Sequence, residues 1–136
     1  MKLYAAQGFA DFVICLGYKG YVIKEYFLNY YLHAADVTVD LATNAVQVHG
    51  SATEAMRVTL VETGEATQTA GRLARVRRYL GEAPFMLTYG DGLADVDLAA
   101  LWAFHHAHGR ACTMTAIPPG SRFGVLEIEP ASGAVR

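Results

Sequence analysis

Hydrophobic and polar positions change period several times along the chain, and each change marks an element. "DFVICL" at 11–16 is a short apolar, β-rich run closed by Gly17, which predicts a strand. "GYVIKEYFLNYYLH" at 20–33 carries apolar residues near helical spacing, with Tyr26, Phe27, Tyr30 and Tyr31 forming an aromatic stripe expected to lie in the core. "DVTVDL" at 36–41 and "AVQVHG" at 45–50 alternate strictly. With Thr43-Asn44 as a tight turn, they predict a hairpin or two neighbouring strands. "RVTLVETG" from 57 reads as another strand, and "TAGRLARVRRYLG" from 69 as a helix. Thr69 is placed to cap that helix, Gly81 lies past its end, and its apolar face is Leu73, Val76, Tyr79 and Leu80.

Alternation disappears in "FMLTYG" at 85–90, as in a strand covered on both faces within a parallel sheet. "DVDLAALWAFHHAHGR" supplies a following helix that Asp95 or Asp97 can cap, and "ACTMTAI" from 111 and "FGVLEIEP" from 123 read as two more strands separated by the turn "PPGSR". Strands alternating with helices predict an α/β sheet between helix layers.

Composition narrows the function classes. The chain has 136 residues, 53% of them hydrophobic, enough for one globular domain with a sizeable core. Eleven Lys and Arg against 13 Asp and Glu give a net charge of −2, which offers no electrostatic footprint for nucleic acid. No stretch approaches the ~18 apolar residues of a membrane span, and the N-terminus lacks an apolar signal region, so a cytoplasmic location is expected. Cys15 and Cys112 sit in apolar runs, where reduced, buried thiols are expected.

The candidate chemistry gathers where "FMLTYG" meets Gly90-Asp91-Gly92. Ligands of open α/β sheets collect at the carboxyl ends of strands. Two glycines would let a phosphorylated ligand approach the backbone while Asp91 supplies a hard oxygen for Mg²⁺. The same dipeptide also serves as an ordinary turn in a βα loop. The loop from Gly64 to Gly71 is small and hydroxylated and is followed by Arg72. It can offer backbone N–H groups, the Thr67 hydroxyl and a guanidinium to a nucleotide, or be an exposed loop beside a solvated arginine. His105 and His108 have an i, i+3 spacing that a metal could use, although histidines late in a helix are also favoured by its dipole. Lys19 lies between glycines without the pattern of a phosphate-binding P-loop.

Taken together, "GYKGYVIKEYF", "VTLVETGEATQTAGRLARV", "TYGDGLADVDL" and "PPGSRFGVLEI" resemble, in order, the middle of the sugar nucleotidyltransferases, in particular their glucose-1-phosphate cytidylyltransferase branch. The resemblance implies a three-layer α/β/α Rossmann-like fold, here incomplete, over residues 1–136. It implies Asp91 as the Mg²⁺ ligand, Gly90 against the nucleotide, Thr67 and Arg72 as nucleotide contacts, Gly71 close to the base and Gly124 as a sugar contact. The family motif T-G-x-x-S-x-T-G-G-R-L falls on Thr63–Leu73, with Thr67 in place of its serine and Ala70 in place of a glycine.

The family's G-G-x-G-T-R-L loop, its K-P-K-P-M segment, its E-K-P segment and its second metal-binding aspartate do not occur in the chain. The resemblance therefore implies roughly half of an enzyme that joins CTP and glucose 1-phosphate for bacterial surface (O-antigen) deoxysugars. It further implies a homo-oligomer when complete, no nucleic-acid or membrane partner, and no turnover by this portion alone. The alternatives are a non-catalytic nucleotide-binding or interaction module on the same scaffold, and a nucleotidyltransferase of other base or sugar preference.

Overall fold

Apolar β-formers flanked by a glycine make strands where the sequence places them. In the computed structural model, residues 1–50, 54–118 and 124–135 are described. The chain divides into two compact units, Met1–Asp95 and Val96–Arg136. The first unit contains, in order, α1 (Lys2–Ala5), β1 (Asp11–Leu16), α2 (Gly20–Leu28), α3 (Tyr30–Ala34), β2 (Asp36–Asp40), β3 (Ala45–His49), β4 (Arg57–Glu62) and α4 (Thr69–Leu80); the second contains α5 (Leu98–His108). The chain is thus mixed α/β.

β1 and β4 pair in parallel, Asp11 opposite Arg57 and Leu16 opposite Glu62. An ion pair between Arg57 and Asp11 ties the entrance of this ladder. Lys2 and Tyr30 both reach Glu54, at 2.6 and 2.9 Å, and so join α1 and α3 to the segment leading into β4. The parallel register brings the carboxyl ends of both strands to the same edge, which positions the corner around Thr63 and Arg72.

The helix expected over 20–33 breaks at Asn29, whose side-chain amide donates to the Glu25 carbonyl at 2.8 Å; a short amide competing for backbone partners is a recognised helix breaker. The hairpin forms as the alternation requires, with Asp36 opposite His49 and Asp40 opposite Ala45. Its turn spans 41–44 and is wider than the Thr43-Asn44 pair. The Asp40 carboxylate accepts from the N–H groups of Ala42 and Thr43 at 2.9 and 3.2 Å, and Asn44 is left-handed at φ 55°.

Among the described residues, the first unit's buried apolar side chains are Leu16, Val61 and Val76, joined by the wholly buried Thr63. This core is smaller than composition suggests. The aromatic stripe stays at the surface: Tyr26 and Tyr31 are 50% and 52% exposed. Its rings pack on one another, Tyr26 against Phe27 at 5.3 Å and against Tyr30 at 5.7 Å between centroids. Tyr79 of α4 is likewise exposed, while Val76 is the buried centre of that helix face. Cys15 is half-buried and Cys112 exposed, both free thiols.

Residues 85–90 are not a strand. A central parallel strand is held by ladders on both edges and cover on both faces. Here Phe85, Leu87 and Tyr89 remain exposed, and no ladder partner is present among the described residues. In the second unit, the Asp97 carboxylate caps α5 by accepting from Ala100 N–H at 2.9 Å, and Gly109 closes it in a left-handed conformation. The strands expected at 111–117 and after 123 are absent for the same want of neighbours, save for one antiparallel bridge, Ile128 to Val135. Of the "PPGSR" turn only Pro118 lies within the described residues. Among the described residues no helix is long and apolar enough to cross a membrane.

Candidate functional site

Where β1 and β4 end together, one carbonyl collects the polar groups. The Leu16 oxygen accepts from Thr63 N–H at 2.9 Å, from the Thr63 hydroxyl at 2.7 Å and from Arg72 Nη1 at 2.9 Å. Arg72 Nη1 also donates to the Thr63 hydroxyl at 2.7 Å, and Nη2 to the Glu65 carbonyl at 3.2 Å. Thr63 is wholly buried, so its hydroxyl needs these partners to offset desolvation. The guanidinium fills the space beside Gly17, where a Cβ would stand 2.7 Å from Nη2.

Arg72 is therefore not a solvated helix arginine. It stitches the ends of both strands to the loop while its Nε–H and second Nη2–H keep no partner among the described residues. Its charge also bears on Cys15: burial pushes that thiol up, and the nearby guanidinium opposes the shift more weakly.

The loop from Thr63 to Gln68 folds back on α4. Arg75 Nη1 donates to the Thr63 carbonyl and to the Thr67 hydroxyl. A Cβ at Gly71 would lie 2.8 Å from the Thr67 methyl carbon, so glycine there leaves room for that methyl. Gln68, and not Thr69, is the N-cap of α4, and its side chain makes no capping bond. With no acidic residue in the first turn and two guanidinium groups at the loop, the corner favours anions.

Thr69, the first helical residue, has its hydroxyl 3.3 Å from that of Tyr89. This contact brings the side chain of Tyr89, the residue before Gly90-Asp91-Gly92, to the start of α4. Gly92 N–H donates to the Tyr89 carbonyl at 3.2 Å, making a turn with Asp91 exposed at its tip. Among the described residues the Asp91 carboxylate has no hydrogen-bond or ion-pair partner, and a Cβ at Gly90 would meet nothing within 4 Å. The residues thus fit an ion that takes one protein carboxylate and keeps most of its water.

Of the six residues singled out from sequence, Thr67, Gly71 and Arg72 come together, and Tyr89 links Gly90 and Asp91 to their helix. Gly124 lies in the second unit, exposed and with open space around it. Gly17, Thr63 and Arg75 were not singled out. Their partners are remote or carry no motif, although a glycine closing a strand at Gly17 was a usable sign.

A depression of about 600 Å³ along α4, lined by Ala74, Arg75, Arg77, Arg78, Gly81 and Glu82, shares only Arg75 with this corner. His105 Nδ1 and His108 Nε2 meet at the Thr113 hydroxyl, at 2.8 and 2.7 Å. His108 Nδ1 faces Arg110 N–H at 2.9 Å. This is a local hydrogen-bond knot. No group of three or more metal-ligating side chains exists among the described residues.

No protein-family model matches the chain. Over its whole length it is 52% identical, across 137 residues, to the glucose-1-phosphate cytidylyltransferases of Salmonella typhi and Salmonella typhimurium, and it covers 52% of each. It is 44% identical over 129 residues to the probable glucose-1-phosphate cytidylyltransferase of Bacillus subtilis, a match covering 95% of the chain and 50% of that protein. The chain spans about half the length of the curated relatives it matches. These named nucleotidyltransferases are its homologues.

Proposed function

We propose that the chain is part of a sugar nucleotidyltransferase that joins CTP to glucose 1-phosphate, forming CDP-glucose and releasing pyrophosphate. The observation that carries this reading is the Thr69–Tyr89 contact. It ties Tyr89, the residue before Gly90, to Thr69 within the Thr67–Arg72 stretch, in a chain 52% identical to named cytidylyltransferases.

In this reading the Thr67 hydroxyl and the free donors of Arg72 hold the nucleotide, Gly71 lies close to the base, and Gly90 lets the nucleotide approach the backbone. Asp91 would hold Mg²⁺, which would supply positive charge beside the phosphate oxygens. The sugar phosphate oxygen attacks the α-phosphorus in line as the bond to pyrophosphate breaks. No side chain of this corner needs to exchange a proton for that step. Gly124 belongs to the sugar subsite. The parallel pair β1–β4 with α4 against it is part of a three-layer Rossmann-like sheet, working in the cytoplasm where CTP is made, and the exposed aromatic rings support assembly into a homo-oligomer.

Asp91→Asn tests the reading in the full-length enzyme that carries this sequence. Losing one carboxylate beside the metal is expected to lower CDP-glucose formation on the order of a hundredfold or more while the fold persists. Turnover near that of the unaltered enzyme would contradict the assignment.

A further inference from the structure

The loop that carries Thr67 is set by a residue to which the resemblance assigns no role. Arg72 and Arg75 stand three apart on α4 and so share a face. Arg72 holds the strand ends. Arg75 holds the loop, through the Thr63 carbonyl and the Thr67 hydroxyl.

A guanidinium has donors only. Facing it, the Thr67 oxygen must accept, and its own proton is left to point elsewhere. On its other side the Thr67 methyl rests against Gly71, where a Cβ would be 2.8 Å away. Gly64 sits at φ +88°, and a Cβ there would be 2.6 Å from Arg75 Nη1 and 2.9 Å from the Thr67 oxygen. Two glycines thus make the space in which the hydroxyl and methyl of one threonine are both fixed, which selects a single χ1 rotamer.

We infer that Arg75 is a positioning residue for nucleotide binding: it locks the Thr67 side chain and turns the hydroxyl proton outward, toward an acceptor atom of the nucleotide. The inference rests on the proposed function for the nucleotide and on geometry alone for the lock. Both bonds leave one nitrogen, Nη1, so a lysine ammonium imitates them in part, but its freely rotating stem holds that nitrogen less firmly than the planar guanidinium does. Arg77 and Arg78 on the same helix are engaged elsewhere: Arg77 with Glu82 at 3.8 Å, Arg78 with the Tyr79 ring and hydroxyl.

Two readouts on the 136-residue chain test this. Three-bond NMR couplings at Thr67 report its χ1 rotamer without any ligand, and shift changes on titration with CTP and Mg²⁺ report affinity. Arg75→Ala is expected to average the couplings and weaken CTP binding about tenfold, the scale of one charged hydrogen bond. Arg75→Lys recovers part of both, and Arg77→Ala changes neither. Thr67→Ala weakens binding to the same extent as Arg75→Ala, and the double variant no further.

A single Thr67 rotamer retained in Arg75→Ala would overturn the lock. Losses that add in full in the double variant would overturn the link to the nucleotide. If the unaltered chain shows no response to CTP, the link from Arg75 to the nucleotide is overturned, and the couplings still decide whether Arg75 holds Thr67.

Discussion

At the residue scale, the corner depends on one arginine and the glycine beneath it. Arg72→Ala removes three hydrogen bonds at the joint of β1, β4 and the loop, although Leu16 keeps its two donors from Thr63. A cost of about 1–3 kcal/mol is expected, read as a lower urea midpoint. Gly17→Ala drives a methyl into the guanidinium and is expected to lower the midpoint similarly without touching the arginine. An unchanged midpoint in both would show that the joint contributes nothing.

The two thiols make a second check: mass spectrometry after iodoacetamide at neutral pH should find exposed Cys112 modified before Cys15, whose thiol burial holds up and shields. What sequence conveyed here was chemical type. Gly-Asp-Gly and the hydroxylated loop announced Asp91 and Thr67. The roles of Thr63, Arg72 and Arg75 depend on partners up to 56 residues away or on loop closure, which no local pattern encodes.

At the element scale, β1, β4, the hairpin, α4 and α5 follow from period and from flanking glycines, because each is fixed by local pattern plus one neighbour. The segments at 85–90 and 111–117 do not, since a buried strand exists only when its neighbours do. The parallel pair itself is clipped by charge. The Arg57 hydrogen bond holds Asp11 below its ordinary value of 3.8, and Lys2 and Tyr30 hold Glu54 below 4.5. Lowered carboxylate values contribute stability that is present above the ordinary values and lost as pH falls through the native ones. Stability should therefore fall as the pH is taken below about 4.5, and Asp11→Asn should flatten that fall. Urea midpoints measured from pH 7 to 3 check this, and equal acid sensitivity in both chains would remove Asp11 from the account.

At the scale of the whole molecule, large apolar side chains are left uncovered. Tyr18, Tyr21, Tyr26, Leu28, Tyr31, Leu41, Tyr89 and Leu93 are all exposed, and surfaces of this kind associate. Sedimentation velocity across a concentration series should show the chain self-associating, whereas a monomer at every concentration would contradict it. The central claim is narrower: the Thr67–Arg72 loop and the Gly90-Asp91 turn form one nucleotide corner. The direct measurement is an amide NMR titration of the chain with CTP, without and with Mg²⁺. The account predicts weak binding, with CTP shifting Thr67, Gly71 and Arg72, and with Mg²⁺ adding Gly90 and Asp91 to the same set. Shifts confined to other surfaces, or none at these five residues at saturating CTP and Mg²⁺, would contradict it.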